Sequence, residues 1–232
     1  MKKSVIVTGA NRGIGKAISL RMAKLGHSLF LLARDEGALD AVASECRAMN
    51  ASVSYLAGEL ADTSYVDSAL QAAVDAHGAV DVLVNNAGAA RRESVQEANM
   101  EAWRQIMDLN FNAVVYLSRQ VLPAMIERGS GSIVNISSIS GRTGAAGNGV
   151  YSASKHALNG LSECMYEDVR DHGIKVSSIM PGFVETSLTG NMGLNAGNMM
   201  ASEDVADAVE YVLSASPRCC PTEIVLRPQL RP

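Results

Sequence analysis

The stretch SVIVTGANRGIG, residues 4–15, decides how this chain is read. Its first half is a short apolar run rich in β-branched residues, the composition of a strand buried on both faces. Its second half places Gly9, Gly13 and Gly15 between the end of that strand and the start of a helical pattern. Ile14, Ala17, Ile18, Met22 and Leu25 recur at helical spacing until Gly26 stops them. Glycine in such a loop lets the backbone turn tightly and come close to a pyrophosphate. The helix that follows offers free N–H groups and a positive dipole end. The spacing is TGxxxGxG rather than GxGxxG. A glycine loop alone is weak evidence, so its surroundings must supply the context.

Outward from the loop, strand and helix alternate. SLFLLA (28–33) reads as a second buried strand, 36–49 as a helix and SVSYLA (52–57) as a third strand. Residues 63–77 form a helix capped at Asp62 or Thr63 and closed by Gly78. DVLVNN (81–86) is a fourth strand, 99–128 a long helical stretch ending at Gly129, and GSIVNIS (131–137) a fifth strand. A helix over 149–172 stops at Gly173, and IKVSSIM (174–180) is halted by Pro181-Gly182. A helix over 203–214 and a strand near EIVL (223–226) finish the pattern. Alternation of this kind implies parallel strands with crossover helices on both faces, a doubly wound Rossmann-type α/β fold of about seven strands. No Pro-rich or Ser-rich linker and no repeat divides the chain, so 1–232 reads as a single domain. The long segment without periodicity, 182–201, is rich in Gly, Asn and Met and reads as a loop covering a substrate.

Composition narrows the function classes. The chain is 47% hydrophobic and 19% charged, as expected of a globular protein. A net charge of −4 gives no electrostatic case for nucleic acid or an anionic membrane. Aromatics at 4% leave no stacking platform for bases. Cys46, Cys164, Cys219 and Cys220 show no CxxC spacing. They read as free thiols of a reducing cytoplasm rather than disulfides, and no metal site is expected. The apolar run of MKKSVIV ends at Thr8-Gly9, too short for a signal peptide, and no run of eighteen apolar residues exists to span a membrane.

GVYSASKHAL (149–158) puts Tyr151 and Lys155 four residues apart, on one face of a helix. A tyrosine releases its proton reluctantly, with a pKa near 10. A neighbouring ammonium stabilises the phenolate and lowers that value, which is a physical reason for the spacing. TGxxxGxG, NNAG at 85–88, YxxxK at Tyr151 and Lys155, and PGFVET at 181–186 occur in this order. With these motifs the chain closely resembles the short-chain dehydrogenase/reductases over essentially its whole length. The resemblance implies an oxidoreductase that moves a hydride between a nicotinamide and a ketone or secondary alcohol. The family's catalytic serine lies thirteen residues before its tyrosine, which selects Ser138, with Ser137 and Ser140 as alternatives in NISSISG. Asparagine is mediocre inside a helix. The resemblance gives Asn110 of MDLNFNA the role of holding a water that connects the lysine to solvent, with Asn112 close enough to be confused with it. On this reading Ser138 and Tyr151 clamp the carbonyl oxygen, Tyr151 gives the proton, Lys155 tunes Tyr151 and binds the nicotinamide ribose, and Tyr151 too is expected to contact the cofactor.

The cofactor follows from charge. A carboxylate at the end of the second strand accepts from the ribose 2′-hydroxyl of NAD, whereas an arginine grips the 2′-phosphate of NADP. Here Ala33 stands where NAD-type family members usually carry Asp, Arg34 follows it, and Arg12 lies in the glycine loop. NADP(H) is therefore expected, with Asp35 placed too late to interfere. The resemblance assigns further cofactor contacts to Gly9, Asn11, Gly13, Ile14 and Gly15. It assigns Asn86, Ala87 and Gly88 to the floor of the site, and Pro181, Gly182, Val184 and Thr186 to the nicotinamide end. Glu59 and Leu60 sit where the family usually has Asp and an apolar residue at the adenine, and Glu59 is a departure from that pattern.

Arg91, Arg92 and Arg142 are candidates for drawing an anionic substrate to the cleft mouth. The core is similar to 3-oxoacyl carrier-protein reductases, but PTEIVLRPQLRP replaces their usual finish. A general NADPH carbonyl reductase, for 3-oxo acids or related ketones, is the expectation. The apolar residues Met100, Trp103, Ile106, Met107 and Phe111 could serve the core or a partner, and a homodimer or homotetramer is expected. A non-enzymatic NADP sensor is the rival, but sensors of this fold typically lose the tyrosine or lysine. The epimerase and dehydratase branch has a different glycine motif and a longer chain.

Overall fold

A computed structural model of the protein describes residues 2–190 and 193–232; positions 191 and 192 of the expected substrate loop lie outside the described residues. The chain alternates β1 (Ser4–Thr8), α1 (Gly13–Lys24), β2 (Ser28–Ala33), α2 (Glu36–Arg47), β3 (Val53–Ala57), α3 (Thr63–His77) and β4 (Val82–Asn85). It continues through α4 (Met100–Met107), α5 (Ala113–Arg128), β5 (Gly131–Ile136), α6 (Gly149–Val169), β6 (Ile174–Pro181), α7 (Ser202–Ser214) and β7 (Glu223–Leu226). The strands form one seven-stranded sheet in the order β3-β2-β1-β4-β5-β6-β7. Every pairing is parallel.

The continuous apolar strands are explained by burial on both faces. Side chains alternate across a strand. Val5, Val7, Leu29, Leu31, Val82 and Val84 accordingly enter the core under α1, α2 and α7. Their neighbours Ile6, Phe30, Leu32 and Leu83 enter the opposite core with residues of α3, α5 and α6. The strand order reverses between β1 and β4, and their carboxyl ends open a crevice where a ligand can sit.

Three elements differ from the sequence expectation. The helix expected over 36–49 stops at Arg47, and Asn50 takes a left-handed φ of 63°. The helix expected over 149–172 ends at Val169 and closes with a 3-10 turn at Arg170–His172 before left-handed Gly173. The stretch expected over 99–128 is continuous but carries a π turn at Asp108–Asn112 between α4 and α5. A π turn inserts one residue into the helix and redirects its side chains, frequently at functional sites. Here it carries Asn110, which is fully buried.

Candidate active site

Two loops meet at the crevice, and their contact dictates the glycines. Gly9 has φ +62°, and a Cβ on it would stand 2.9 Å from the Cα of Ala87. A Cβ on Gly15 would stand 2.1 Å from the Gly9 carbonyl oxygen, so the first turn of α1 packs directly on the loop. The Thr8 hydroxyl seams the two loops, accepting from the backbone N–H groups of Asn86 at 2.9 Å and Ala87 at 3.0 Å. Asn86 Nδ2 returns a bond to the Thr8 carbonyl at 2.8 Å. Thr8 was not singled out from the sequence, although the threonine of TGxxxGxG was its signal.

The N-terminus of α1 is left open for an anion. Asp35, Asp62 and Asn99 cap α2, α3 and α4 with their side chains. Arg12 at the start of α1 makes no such bond, and the first turn of α1 holds no acidic residue. Free N–H groups and the helix dipole thus face a cavity of about 590 Å³. Its walls are Gly9, Asn11, Arg12, Gly13, Ile14 and Gly15, then Ala33, Arg34 and Asp35, then Gly58, Glu59 and Leu60, then Asn86, Ala87 and Gly88. Thr186 closes it from the loop after β6, together with Ser187, Leu188 and, from the π turn, Leu109. Ser187 and Leu188 belong to the loop expected to cover the substrate and Leu109 directly precedes Asn110, but the sequence motifs mark none of the three as a cofactor contact. The open helix end, the cavity volume and the strand-switch position fit a dinucleotide.

At one end of the cavity, Asp35 is engaged as the cap of α2, accepting from Ala38 N–H at 3.0 Å. Arg34 is largely exposed, and its guanidinium lies 3.6 Å from the Glu59 carboxylate. Pro181, Gly182 and Val184 do not line the cavity. Pro181 ends β6 opposite Leu226, Gly182 abuts Pro228, and Val184 is buried.

At the other end lies the polar cluster. A Cβ on Gly88 would stand 3.2 Å from Asn110 Oδ1 and 3.7 Å from Lys155 Nζ, so the cluster adjoins the cavity wall at Gly88. Lys155 is 4% exposed and donates from Nζ to the Ile136 carbonyl at 2.8 Å. Its Nζ stands 5.9 Å from the centre of the Tyr151 ring. Burial pulls Lys155 down to about 8. Burial also pushes the Tyr151 phenol above its ordinary value, and hydrogen bonding with the Ser138 hydroxyl draws it back. The Ser138 hydroxyl accepts from Ser140 N–H at 3.1 Å. The two alternative serines are engaged elsewhere: Ser137 donates to the Lys155 carbonyl at 3.4 Å, and Ser140 accepts from Asn148 at 3.2 Å.

Asn110 clamps the loop after β4. Its Oδ1 accepts from Ala89 N–H at 2.8 Å, and its Nδ2 donates to the Ala89 carbonyl at 2.9 Å and to Ser154 Oγ at 3.0 Å. Ser154 donates in turn to the Tyr151 carbonyl at 2.8 Å, linking the π turn to α6. Asn112, by contrast, is exposed and bonds Asp108 locally. Asn110→Ala strips both Ala89 groups of their partner. It is expected to cost about 1–3 kcal/mol, read as a fall of about 3–10 °C in thermal midpoint.

The arginines expected at the mouth are mostly neutralised. Arg91 pairs with Glu93 at 2.9 Å, and Arg142 pairs with Glu223. Glu93 also accepts from the Trp103 indole. Burial pushes the Glu93 carboxyl up, but bonds from Arg91, the Asn99 backbone and Trp103 outweigh it and hold it below its ordinary value. Arg92 is exposed. All four cysteines are free, and burial pushes the Cys46 thiol up to about 11, an unreactive state. Among the described residues no cluster suited to a metal ion occurs, and no helix is long and apolar enough to cross a membrane.

The fold and this crevice define a dinucleotide-binding α/β protein. The family model described as short chain dehydrogenase matches residues 3–196. An uncharacterized oxidoreductase of Staphylococcus epidermidis is 30% identical over 227 residues, covering 98% of this chain and 97% of its own. Another, from Staphylococcus saprophyticus, is 32% identical over 229 residues, covering 97% of each chain. Among solved structures, a metagenomic short-chain oxidoreductase in complex with NADP superposes with a TM-score of 0.87 at 32% identity, covering 99% of both chains. An acetoin dehydrogenase from Salmonella typhimurium gives a TM-score of 0.87 at 25% identity, covering 100% of this chain and 99% of its own. The chain belongs to the short-chain dehydrogenase/reductase family, whose members are NAD(P)-dependent oxidoreductases.

Proposed function

We propose that the protein is an NADPH-dependent carbonyl reductase, working reversibly as an alcohol dehydrogenase on a small ketone or secondary alcohol. The observation that carries this reading is the meeting of Asn110 and Lys155 beside Gly88 on the wall of the dinucleotide cavity, with the Tyr151 ring next to Lys155 and Ser138 next to Tyr151. When bound, the nicotinamide supplies the hydride for the carbonyl carbon or takes it from the alcohol. The Ser138 hydroxyl holds the substrate oxygen, and the Tyr151 phenol donates its proton to that oxygen. Lys155 keeps its ammonium on the tyrosine side of the cluster, favouring the phenolate that results. Asn110 fixes the loop on which Gly88 stands and supports proton return toward Lys155.

The NADP(H) preference rests on Arg34 and Arg12 at the adenosine end, with Ala33 in place of a carboxylate and Asp35 turned to its capping duty. The NADP complex of the metagenomic relative supports it, and the acetoin dehydrogenase supports a small hydroxyketone-like substrate. Wild-type protein is expected to give kcat/KM for NADPH at least about tenfold above NADH, the discrimination that about 1.4 kcal/mol from a charge-assisted contact supplies. Equal efficiencies would refute the preference. Oxidation of NADPH against ketones, 3-oxo acids, 3-oxoacyl thioesters and semialdehydes identifies the substrate class. Tight NADPH binding with no turnover on any of them would return the sensor reading.

We place the protein in the cytoplasm as a homodimer or homotetramer. Ile106 is buried in its own chain, and Trp103 packs over Gly149, but Met100 and nearby Val95 remain exposed for a partner. A concentration-independent monomer in sedimentation would refute the assembly.

A further inference from the structure

We propose that Glu59 is a specificity-determining residue that weakens the hold on a 2′-phosphorylated cofactor by competing with the phosphate for Arg34. This inference rests on the NADP(H) reading above. Glu59 and Arg34 line the same end of the cavity and stand 3.6 Å apart. The sheet register fixes their opposition. Ala33 and Ala57 are paired neighbours at the ends of β2 and β3, and Gly58 N–H donates to the Ala33 carbonyl at 2.9 Å. Tyr65 locks the turn that carries Glu59. Its ring leaves no room for a side chain on Gly58, where a Cβ would stand 2.2 Å from it, and its hydroxyl donates to the Leu56 carbonyl at 2.8 Å. Leu60, immediately after Glu59, is anchored in the core. The carboxylate is therefore presented to Arg34 by rigid backbone rather than by a wandering loop.

Two effects of opposite sign follow from this pair. Glu59 pre-positions Arg34, which would help a phosphate, and Glu59 repels the phosphate, which would hurt it. The pair is exposed, with 75% and 47% of the two side chains accessible, so pre-positioning is worth little. Repulsion acts between a carboxylate and a group near two negative charges gripped by the same guanidinium. At contact distances of about 6 Å in salted water it amounts to about three- to tenfold in affinity. Repulsion wins. The ribose 2′-hydroxyl of NADH carries no charge and is not subject to it.

The test is titration of wild type, Glu59→Gln, Glu59→Asp and Arg34→Leu with NADPH and with NADH, followed by cofactor fluorescence. Glu59→Gln is expected to tighten the NADPH Kd about three- to tenfold at low salt, with the gain shrinking as salt is raised, and to move the NADH Kd less than about twofold. Glu59→Asp, which keeps the charge on a shorter arm, falls between the two. An NADPH Kd that is unchanged or weakened in Glu59→Gln, or both cofactors weakened equally as loss of an adenine contact would do, overturns the proposal. If Arg34→Leu weakens NADPH while Glu59→Gln fails, the NADP(H) reading survives and only the role of Glu59 falls. If Arg34→Leu leaves NADPH untouched, Arg34 does not hold the phosphate and the Glu59 proposal falls, whereas the NADP(H) reading falls only if wild type binds NADH as tightly as NADPH.

Discussion

Tyr151→Phe is expected to lower kcat/KM for carbonyl reduction about 10³-fold or more while leaving NADPH affinity within about threefold of wild type. The substitution removes one hydroxyl from a half-buried ring and leaves the cofactor cavity walls, to which Tyr151 does not belong, intact. What disappears is the only phenol beside Ser138 among the described residues, and with it the proton that the reduced oxygen must receive. A positioned general acid is worth about 10²–10⁴-fold, and loss of the oxygen's second hydrogen bond adds to it. The pH profile carries the sign of the same group. Burial raises the phenol, so the acid form needed for reduction persists through neutral pH. Reduction then falls only on the alkaline side, whereas alcohol oxidation, which needs the phenolate, climbs with pH. A Tyr151→Phe protein that keeps more than about a tenth of its turnover would remove Tyr151 from the chemistry.

Most of the fold could be read because the central strands are buried on both faces, which turns them into largely apolar runs between glycine and proline stops, while the edge strand β7 alternates exposed and half-buried. The helix over 63–77 was legible to the residue because Asp62 and Gly78 bracket it with ordinary cap chemistry. The overrun of α2 past Arg47 has a local cause. Ala48 and Met49 suit a helix well enough, and only the left-handed turn at Asn50 ends it. The π turn was invisible because five residues of DLNFN carry no periodicity that separates a π turn from an α turn. Its one outward sign was Asn110, a poor helix residue that proves to be buried against Ala89 and Ser154. The fate of Arg142 was beyond sequence reasoning, since its partner Glu223 lies 81 residues away. Likewise the cavity residues Leu109, Ser187 and Leu188 belong to no recurrent motif, and only the folded backbone brings them to the wall. Roles set by nearby glycines and caps were thus readable, while roles set by distant partners were not.

Lys155→Met is expected to separate stability from function, abolishing most turnover while making the apoprotein more stable at pH 7. Lys155 is buried, and its ammonium is held only by the Ile136 carbonyl among the described residues. Its pKa falls from 10.5 to about 8 through desolvation. The unfolded chain therefore binds this proton more tightly than the folded one between those values, and stability rises with pH across that window. Below about pH 8 both states are charged and the full penalty of about 3 kcal/mol applies. Methionine carries no charge, fills similar volume and removes the penalty, at the cost of leaving the Ile136 carbonyl without its donor, about 1–2 kcal/mol. The difference leaves the variant about 1–2 kcal/mol more stable at pH 7, read as a rise of about 2–8 °C in melting midpoint. The advantage shrinks as pH climbs from 8 and reverses at about pH 9, where the remaining penalty equals the lost hydrogen bond; above about 10.5, with the wild-type amine neutral in both states, only the lost hydrogen bond counts. Turnover moves the other way, falling about 10²–10³-fold, because the phenolate of Tyr151 loses the cation that favours it. Thermal melts of the two apoproteins across pH 7 to 10.5 decide the matter. A variant less stable than wild type by a constant amount at every pH would mean that Lys155 is a structural donor to Ile136 and carries no desolvation penalty.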